Sequence, residues 1–350
     1  MTQDAPEPSV LATTDGVLGR LTLNRPRAIN ALDITMIDIL TDALQQWQHD
    51  SVAVIVLDGA GDRGFCAGGD VRGLREHILT GDPEHAAGFF RAEYALNALI
   101  AEHPRPIVAF ADGVTMGGGI GLAGHARLRV VTERSRLAMP ETRIGLTPDV
   151  GGSWLLAHAP GRLGEYLGLT GGVMDAADAI YAGFADHFVP SDRLDALRAA
   201  LAAGGDPEAV VSSFAEPAPV AGLVKARRWI DDAFQSATVP EIIERLRMRR
   251  EPEALAAADT LEELSPTSLA VTLAAIRTAR ELPNLRAALA QEYGLVMWFV
   301  NTQPDLVEGI RAQLVDKDRT PLWSPSTLAD VPENLAATAM NTAPTQPLWD

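Results

Sequence analysis

The 350-residue chain has a single cysteine, Cys66. One cysteine excludes an internal disulfide and a cysteine-rich metal site. Cationic side chains are also scarce: 29 Lys and Arg stand against 46 Asp and Glu, a formal charge of −17. That balance argues against a nucleic-acid or anionic-membrane partner held by bulk charge. An anionic ligand must therefore be bound by local groups. Long apolar runs are missing too. The longest, Val52–Leu57 and Leu295–Val300, are far too short to span a bilayer. Met1 to Ser9 are acidic and proline-containing, without the basic stretch and apolar run of a signal peptide, so a soluble cytoplasmic protein is expected. No Gly-Lys-Ser/Thr phosphate loop occurs. Gly119 to Gly124 matches GxGxxG literally, but it starts well past a strand end, and Glu133 comes too early for a ribose contact. His125 and His158 have no ligand cluster around them in the sequence, so no metal site is expected.

What is present is a chain rich enough in apolar residues, at 47%, to bury a real core, and long enough for one large domain or two modest ones. Val17–Leu23 reads as a strand. Asp33 is a plausible N-cap for a helix from Ile34 to Gln48, whose apolar residues Met36, Ile37, Leu40, Leu44 and Trp47 keep helical spacing. Val52–Leu57 is a β-branched buried strand. The alternation repeats with a helix around Ala86–His103, strands at Pro106–Ala111 and Leu128–Thr132, and a Gly-rich turn and helix between those strands. Alternating elements predict an α/β core over residues 10–200 with parallel strand pairing. Beyond it, helical stretches at Leu194–Ala203, Pro240–Met248, Thr267–Glu281 and Asn284–Val300 predict a mostly helical region over 201–335. Pro217, Pro219 and Gly222 read as a hinge or loop near its start, and residues 336–350 as a tail.

Two glycine turns follow strands: Phe65-Cys66-Ala67-Gly68-Gly69-Asp70 and Thr115-Met116-Gly117-Gly118-Gly119. Tight turns alone would explain them. If the two lie at neighbouring strand ends, their N–H groups can also converge on one oxygen, as an oxyanion hole requires. Glu141 and Asp149 each follow a proline, among apolar neighbours. A desolvated carboxyl has a raised pKa and suits acid–base work, whereas two surface loop acids would do nothing. Glu93 falls with Phe89, Leu96 and Ile100 on one helical face. Either it interrupts a buried stripe, or Phe90, Tyr94 and Asn97 form the inner face and leave it at the edge. Cys66 has no histidine close in sequence and reads as a small buried residue.

Together these segments resemble the crotonase (enoyl-CoA hydratase/isomerase) superfamily. Leu23-Asn24-Arg25-Pro26 with Asn30-Ala31-Leu32, the Phe65–Asp70 turn, and Gly113 with Gly117-Gly118-Gly119 match in order. Phe89–Tyr94, Met139–Thr142, Ile144–Leu146, Pro148–Gly152, Glu308-Gly309 and Asp316–Arg319 are similar to the branch that hydrolyses short branched 3-hydroxyacyl-CoA thioesters. The resemblance runs over residues 10–333. It implies a spiral of ββα units with a helical C-terminal region. It also implies an acyl-CoA substrate, with coenzyme A as part of that substrate and no other cofactor. By resemblance, Gly69 and Gly118 supply the oxyanion N–H groups, and Glu93, Gly118, Glu141 and Asp149 contact the substrate. Arg25, Arg27 and Asp70 are expected to bind the substrate as well, the two arginines where the nucleotide end of CoA is held.

A hydratase of this superfamily needs one glutamate just after the glycine turn and another at the position of Glu141. The first position here is Gly121. The resemblance therefore implies thioester hydrolysis, with 3-hydroxyisobutyryl-CoA and valine breakdown as its first candidates. Hydratase or isomerase activity, or non-catalytic acyl-CoA binding, are the alternatives. Thr147 and Ser153 depart from the aromatic residue and glycine expected in this loop. Superfamily hydratases assemble through their C-terminal helices, so a homo-oligomer is one expectation. A longer C-terminal half folded on its own subunit is the other.

Overall fold

A computed structural model describes residues 7–349. Nine strands form two sheets: β1 (Val10–Asp15), β2 (Leu18–Leu23), β3 (Val54–Gly59), β4 (Gly64–Cys66), β5 (Ile107–Ala111), β6 (Val114–Met116), β7 (Leu128–Val131), β8 (Arg136–Ala138) and β9 (His187–Phe188). The larger sheet runs β1-β2-β3-β5-β7-β9 and the smaller β4-β6-β8. The β1–β2 hairpin is antiparallel and every other pairing is parallel. Each pass of the chain gives one strand to each sheet before its helix or turn: β3 then β4, β5 then β6, β7 then β8. That is the expected ββα spiral.

Apart from the exposed edge strand β1, the large sheet is buried on both faces, as parallel sheets are. Strand alternation sorts its side chains. Ile55, Leu57 and Ala109 join the main core. Val54, Val56, Val108 and Phe110 meet Leu194, Leu197, Leu201 and Val211 on the other side. The sequence reading took the glycine segments as turns only. In the structure Gly64–Cys66 and Val114–Met116 are short strands of the second sheet. Three residues are too few to show a period of two.

The expected C-terminal helices are present, joined by others at Pro207–Phe214, Gly222–Phe234 and Pro252–Glu263. They pack back on the core. Fully buried Glu165, on the helix Leu163–Thr170, pairs with both guanidinium arms of Arg280 at 2.6 Å and with Arg162 at 2.9 Å. The proline-containing stretch before Gly222 is a short connection, pinned where Phe188 and Glu216 form a bridge. The residues read as a tail also pack: Arg91 donates to the Pro347 carbonyl at 2.7 Å, Trp349 Nε1 to the Arg286 carbonyl at 2.9 Å, and Leu348 is buried. Among the described residues no helix is long and apolar enough to cross a membrane.

Candidate active site

A cleft of about 580 Å³ brings together all eight expected residues: Arg25, Arg27, Gly69, Asp70, Glu93, Gly118, Glu141 and Asp149. Leu314, from a π-helical turn at Arg311–Val315, lines it from the C-terminal region.

Parallel pairing of β4 with β6 sets the two glycine turns side by side. A Cβ placed on Gly118 would lie 3.3 Å from the Gly69 nitrogen. Among the described residues neither the Gly69 nor the Gly118 N–H has a hydrogen-bond acceptor. Gly118 opens the helix Gly118–Ala123, whose first N–H groups are unpaired by construction. Two free donors thus sit at one point of the cleft wall.

Three carboxyls face this point. Glu93 lies on the long helix Pro83–Glu102, whose Phe90, Tyr94 and Asn97 are buried along with it. Glu93 is therefore interior rather than at the edge. A Cβ on Gly118 would meet its Oε1 at 2.5 Å. Glu141 opens the 3-10 turn Glu141–Ile144, and its Oε1 lies 3.0 Å from where a Cβ on Gly117 would be. Glu93 Oε1 and Glu141 Oε2 are buried with no partner among the described residues. Asp149 Oδ2 accepts a hydrogen bond from the Tyr94 hydroxyl at 2.8 Å.

Burial without a cationic partner pushes these acids up. Glu93 and Glu141 rise well above the ordinary carboxyl range through desolvation, then through the charge of Asp149. Asp149 rises to about 6, desolvation outweighing the Tyr94 bond. Raised carboxyls in a cleft mark a site that moves protons.

The C-terminal region holds the Glu141 turn in place. The helix Pro304–Ile310 crosses it so closely that a Cβ on Gly309 would sit 2.3 Å from the Ile144 carbonyl carbon. Only glycine permits that approach. Arg75 Nε donates to the Val307 carbonyl at 3.2 Å from the other side.

At the mouth Arg25 is partly spent. It donates to the Ala31 carbonyl at 2.6 Å and pairs with Asp33 and Asp70, each at 3.2 Å. Asp70 is accordingly held by Arg25. Arg27 and Arg72 also line the cleft there, so the rim is basic although the protein is acidic. Cys66 is buried and its thiol is pushed up to about 12, which rules out a thiolate nucleophile near neutrality. His125 donates through Nε2 to the Val150 carbonyl at 2.8 Å, and burial pushes its imidazole down to about 4. On the surface His77, Asp82 and His85 lie close together, but their two imidazoles stack nearly parallel at 3.5 Å, so their in-plane lone pairs do not converge on one ion.

Sequence reasoning missed Tyr94 as the partner of Asp149, and it missed Glu292. Glu292 is fully buried on the helix Leu285–Thr302 and accepts from Gly151 N–H at 2.6 Å and Ser153 N–H at 2.8 Å. Desolvation pushes it up to about 8. The signal was available: Leu289, Glu292, Val296 and Phe299 repeat three and four apart, the pattern that exposed Glu93. The two unusual loop residues are also accommodated. Thr147 hydroxyl bonds Thr272 at 3.1 Å, and Ser153 hydroxyl donates to Glu292.

A model of the enoyl-CoA hydratase/isomerase family matches residues 18–340. The chain belongs to the enoyl-CoA hydratase/isomerase family. The zebrafish (Danio rerio) mitochondrial 3-hydroxyisobutyryl-CoA hydrolase is 39% identical over 335 residues, covering 93% of this chain and 87% of that one. The Arabidopsis thaliana 3-hydroxyisobutyryl-CoA hydrolase 1 is 39% identical, covering 95% and 91%. Among solved structures, a carnitinyl-CoA dehydratase from Mycobacterium thermoresistibile superposes with a TM-score of 0.92 at 44% identity, covering 97% of each chain. An enoyl-CoA hydratase from Rhodobacter sphaeroides follows at 0.91 and 41%, covering 97% and 99%. The fold is thus the crotonase fold, and this member of the family has relatives named for two chemistries.

Gly121 stands where the resemblance places a glutamate of a hydratase. A Cβ on Gly121 would lie 2.7 Å from Val150 Cβ and 2.8 Å from Asn97 Nδ2. No second glutamate side chain fits there without rebuilding both neighbours.

Proposed function

We propose that this family member hydrolyses a short 3-hydroxyacyl-CoA thioester, with 3-hydroxyisobutyryl-CoA, and hence valine breakdown, as the first candidate. The observation that carries the reading is a free N–H pair faced by the buried acids Glu93, Glu141 and Asp149, while the place of the hydratase acid at Gly121 is filled by Val150 and Asn97. The identities to proteins named hydrolases support the same choice.

In the proposed reaction the thioester oxygen accepts from the Gly69 and Gly118 N–H groups, which stabilise the negative charge as the carbonyl becomes tetrahedral. Ionised Glu141 acts in one of two ways. As a base it takes a proton from water while the water oxygen bonds to the carbonyl carbon. As a nucleophile it bonds to that carbon itself, giving an anhydride that water then opens. In both, the C–S bond breaks and its electron pair leaves on the CoA sulfur, which takes up a proton. Asp149, steadied by Tyr94, holds the substrate hydroxyl or returns that proton, with Glu93 beside it. Arg27, with Arg25, meets the phosphates of the nucleotide end. Coenzyme A enters as part of the substrate, and the reaction needs no other cofactor. Leu314 lines the cleft from the C-terminal region of the same chain. The cytoplasm is the proposed compartment, although the zebrafish relative is named mitochondrial; cell fractionation decides that point.

Glu141→Gln tests the reading. It keeps the fold and abolishes thiol release from 3-hydroxyisobutyryl-CoA, and near-wild-type release in that variant refutes the assignment. Crotonyl-CoA hydration by the wild-type protein would favour the hydratase reading instead.

A further inference from the structure

Glu292 takes no part in the reaction above, yet its carboxylate spends its bonding capacity on the loop that carries Asp149. Its Oε2 accepts the Gly151 N–H at 2.6 Å, and Oε1 accepts the Ser153 N–H at 2.8 Å and the Ser153 hydroxyl. No arginine or lysine pairs with it among the described residues. These three donors favour its charged form, but desolvation outweighs them and holds the carboxyl at about 8, so what they secure is the geometry of the loop.

The loop has reason to need such an anchor. Val150 and Gly151 are both left-handed, with φ of 54° and 78°. Valine, being β-branched, resists that conformation, at a cost of about 1–3 kcal/mol, and holds it only where its surroundings insist. On one side His125 donates to the Val150 carbonyl at 2.8 Å. On the other stands Glu292. Within the turn the Gly152 N–H donates to the Asp149 carbonyl at 2.6 Å. The helix Leu285–Thr302 reaches Asp149 by a second route: Tyr293 packs edge-on against Tyr94, with ring centres 6.3 Å apart, and Tyr94 donates to the Asp149 carboxylate.

We propose that Glu292 is a positioning residue: a buried carboxyl on a C-terminal helix that fixes the turn Val150–Ser153 and so aims Asp149. The titratable groups facing the acids of the cleft are Glu93 and Tyr94 from the helix Pro83–Glu102, Asp149 and Glu141 themselves, His125 beside the turn, and Glu292. Glu292 and Asp149 both raise Glu141.

The kinetic half of the test rests on the hydrolase reading; the structural half does not. Glu292→Gln keeps the size and turns an amide NH2 toward one of the two backbone N–H donors, so one anchor of the turn is lost. With 3-hydroxyisobutyryl-CoA the expected result is a kcat about 10- to 100-fold lower with KM within threefold of wild type. Ser153→Ala keeps the carboxyl and both backbone bonds, and its kcat stays within about threefold. A structure of Glu292→Gln is expected to show the Tyr94–Asp149 contact opened beyond 3.5 Å. If Glu292→Gln does not fold, Glu292→Asp carries the test: the carboxyl stays, the reach shortens, kcat falls and KM does not move. A folded Glu292→Gln with kcat within twofold overturns the proposal, as does an unmoved turn and Tyr94–Asp149 contact in its structure. Absence of thiol release by the wild type refutes the hydrolase reading instead, and the structure of the variant then decides this inference alone.

Discussion

Asp149→Asn should make the protein more stable and less active, and the size of the gain follows from the site. Burial raises the Asp149 carboxyl from 3.8 to about 6. A folded-state carboxyl above its unfolded value means that the folded protein binds the proton more tightly. Ionisation therefore costs stability, and the cost grows as pH rises from the unfolded value to the folded one. At about 1.36 kcal/mol per pKa unit, the full cost above pH 6 is about 3 kcal/mol; at pH 5 it is about 1.6 kcal/mol. Asparagine cannot ionise, and its carbonyl oxygen can still accept from Tyr94. Any fixed cost of the new amide is the same at both pH values. The gap in unfolding free energy between variant and wild type should therefore widen by about 1.4 kcal/mol from pH 5 to pH 8. Relief of Glu93 and Glu141, whose carboxyls the Asp149 charge also raises, acts in the same direction. Urea unfolding followed by tryptophan fluorescence at the two pH values measures the gap, and thiol release at pH 8 measures the loss of activity. A gap that stays constant, or narrows toward pH 8, refutes the claim that Asp149 is held desolvated beside like charges.

Three further outcomes follow, two from the mouth and one from the C-terminal latch. Arg27→Ala is expected to raise KM for the acyl-CoA about five- to tenfold with kcat unchanged, an effect that fades with added salt; Arg25→Ala should also lower stability, because Arg25 ties Ala31, Asp33 and Asp70 together. Glu165→Gln removes the fully buried partner of Arg280 and should cost on the order of 3 kcal/mol in thermal or urea unfolding, while kcat per folded molecule stays near wild type.

The parts of this fold that could be read from the sequence are those in which one segment carries its own pattern. The strand β3 is a β-branched run, the helix Ile34–Trp47 shows its apolar spacing behind Asp33, and the Pro-Glu and Pro-Asp steps mark their own turns. The second sheet could not be read, because its strands are three residues long and are defined by partners rather than by composition. The rule that offered Glu93 as an interior acid, with the helix edge as the alternative, would have offered Glu292 in the same way, had it been applied to the helix Leu285–Thr302. What that rule cannot supply is the partner. The contact of Glu292 with Gly151 and Ser153 spans about 140 residues of chain, and its chemistry depends on a left-handed Val150 that no local propensity favours. The tail was misread for a related reason: its anchors, Arg91 and Arg286, lie far away in the chain.

The charge of −17 acquires a direction once the cleft is mapped. Its basic groups, Arg25, Arg27 and Arg72, stand at the mouth, and Glu93, Glu141 and Asp149 lie buried within. On the proposed reaction this sorts a substrate that is itself asymmetric. The phosphates of CoA are drawn to the rim and repelled from the interior, so the uncharged thioester end enters first. Hydrolysis then creates a carboxylate next to three buried acids with no cation among them. In so poorly screened a place, the product carboxylate is repelled by whichever of these acids is ionised, Glu141 first on the proposed reaction. The acids that drive the chemistry thus also weaken the hold on its product, whereas an uncharged hydration product would meet no such repulsion. An acidic protein can bind a polyanion in this way because the sign of the charge changes along the cleft.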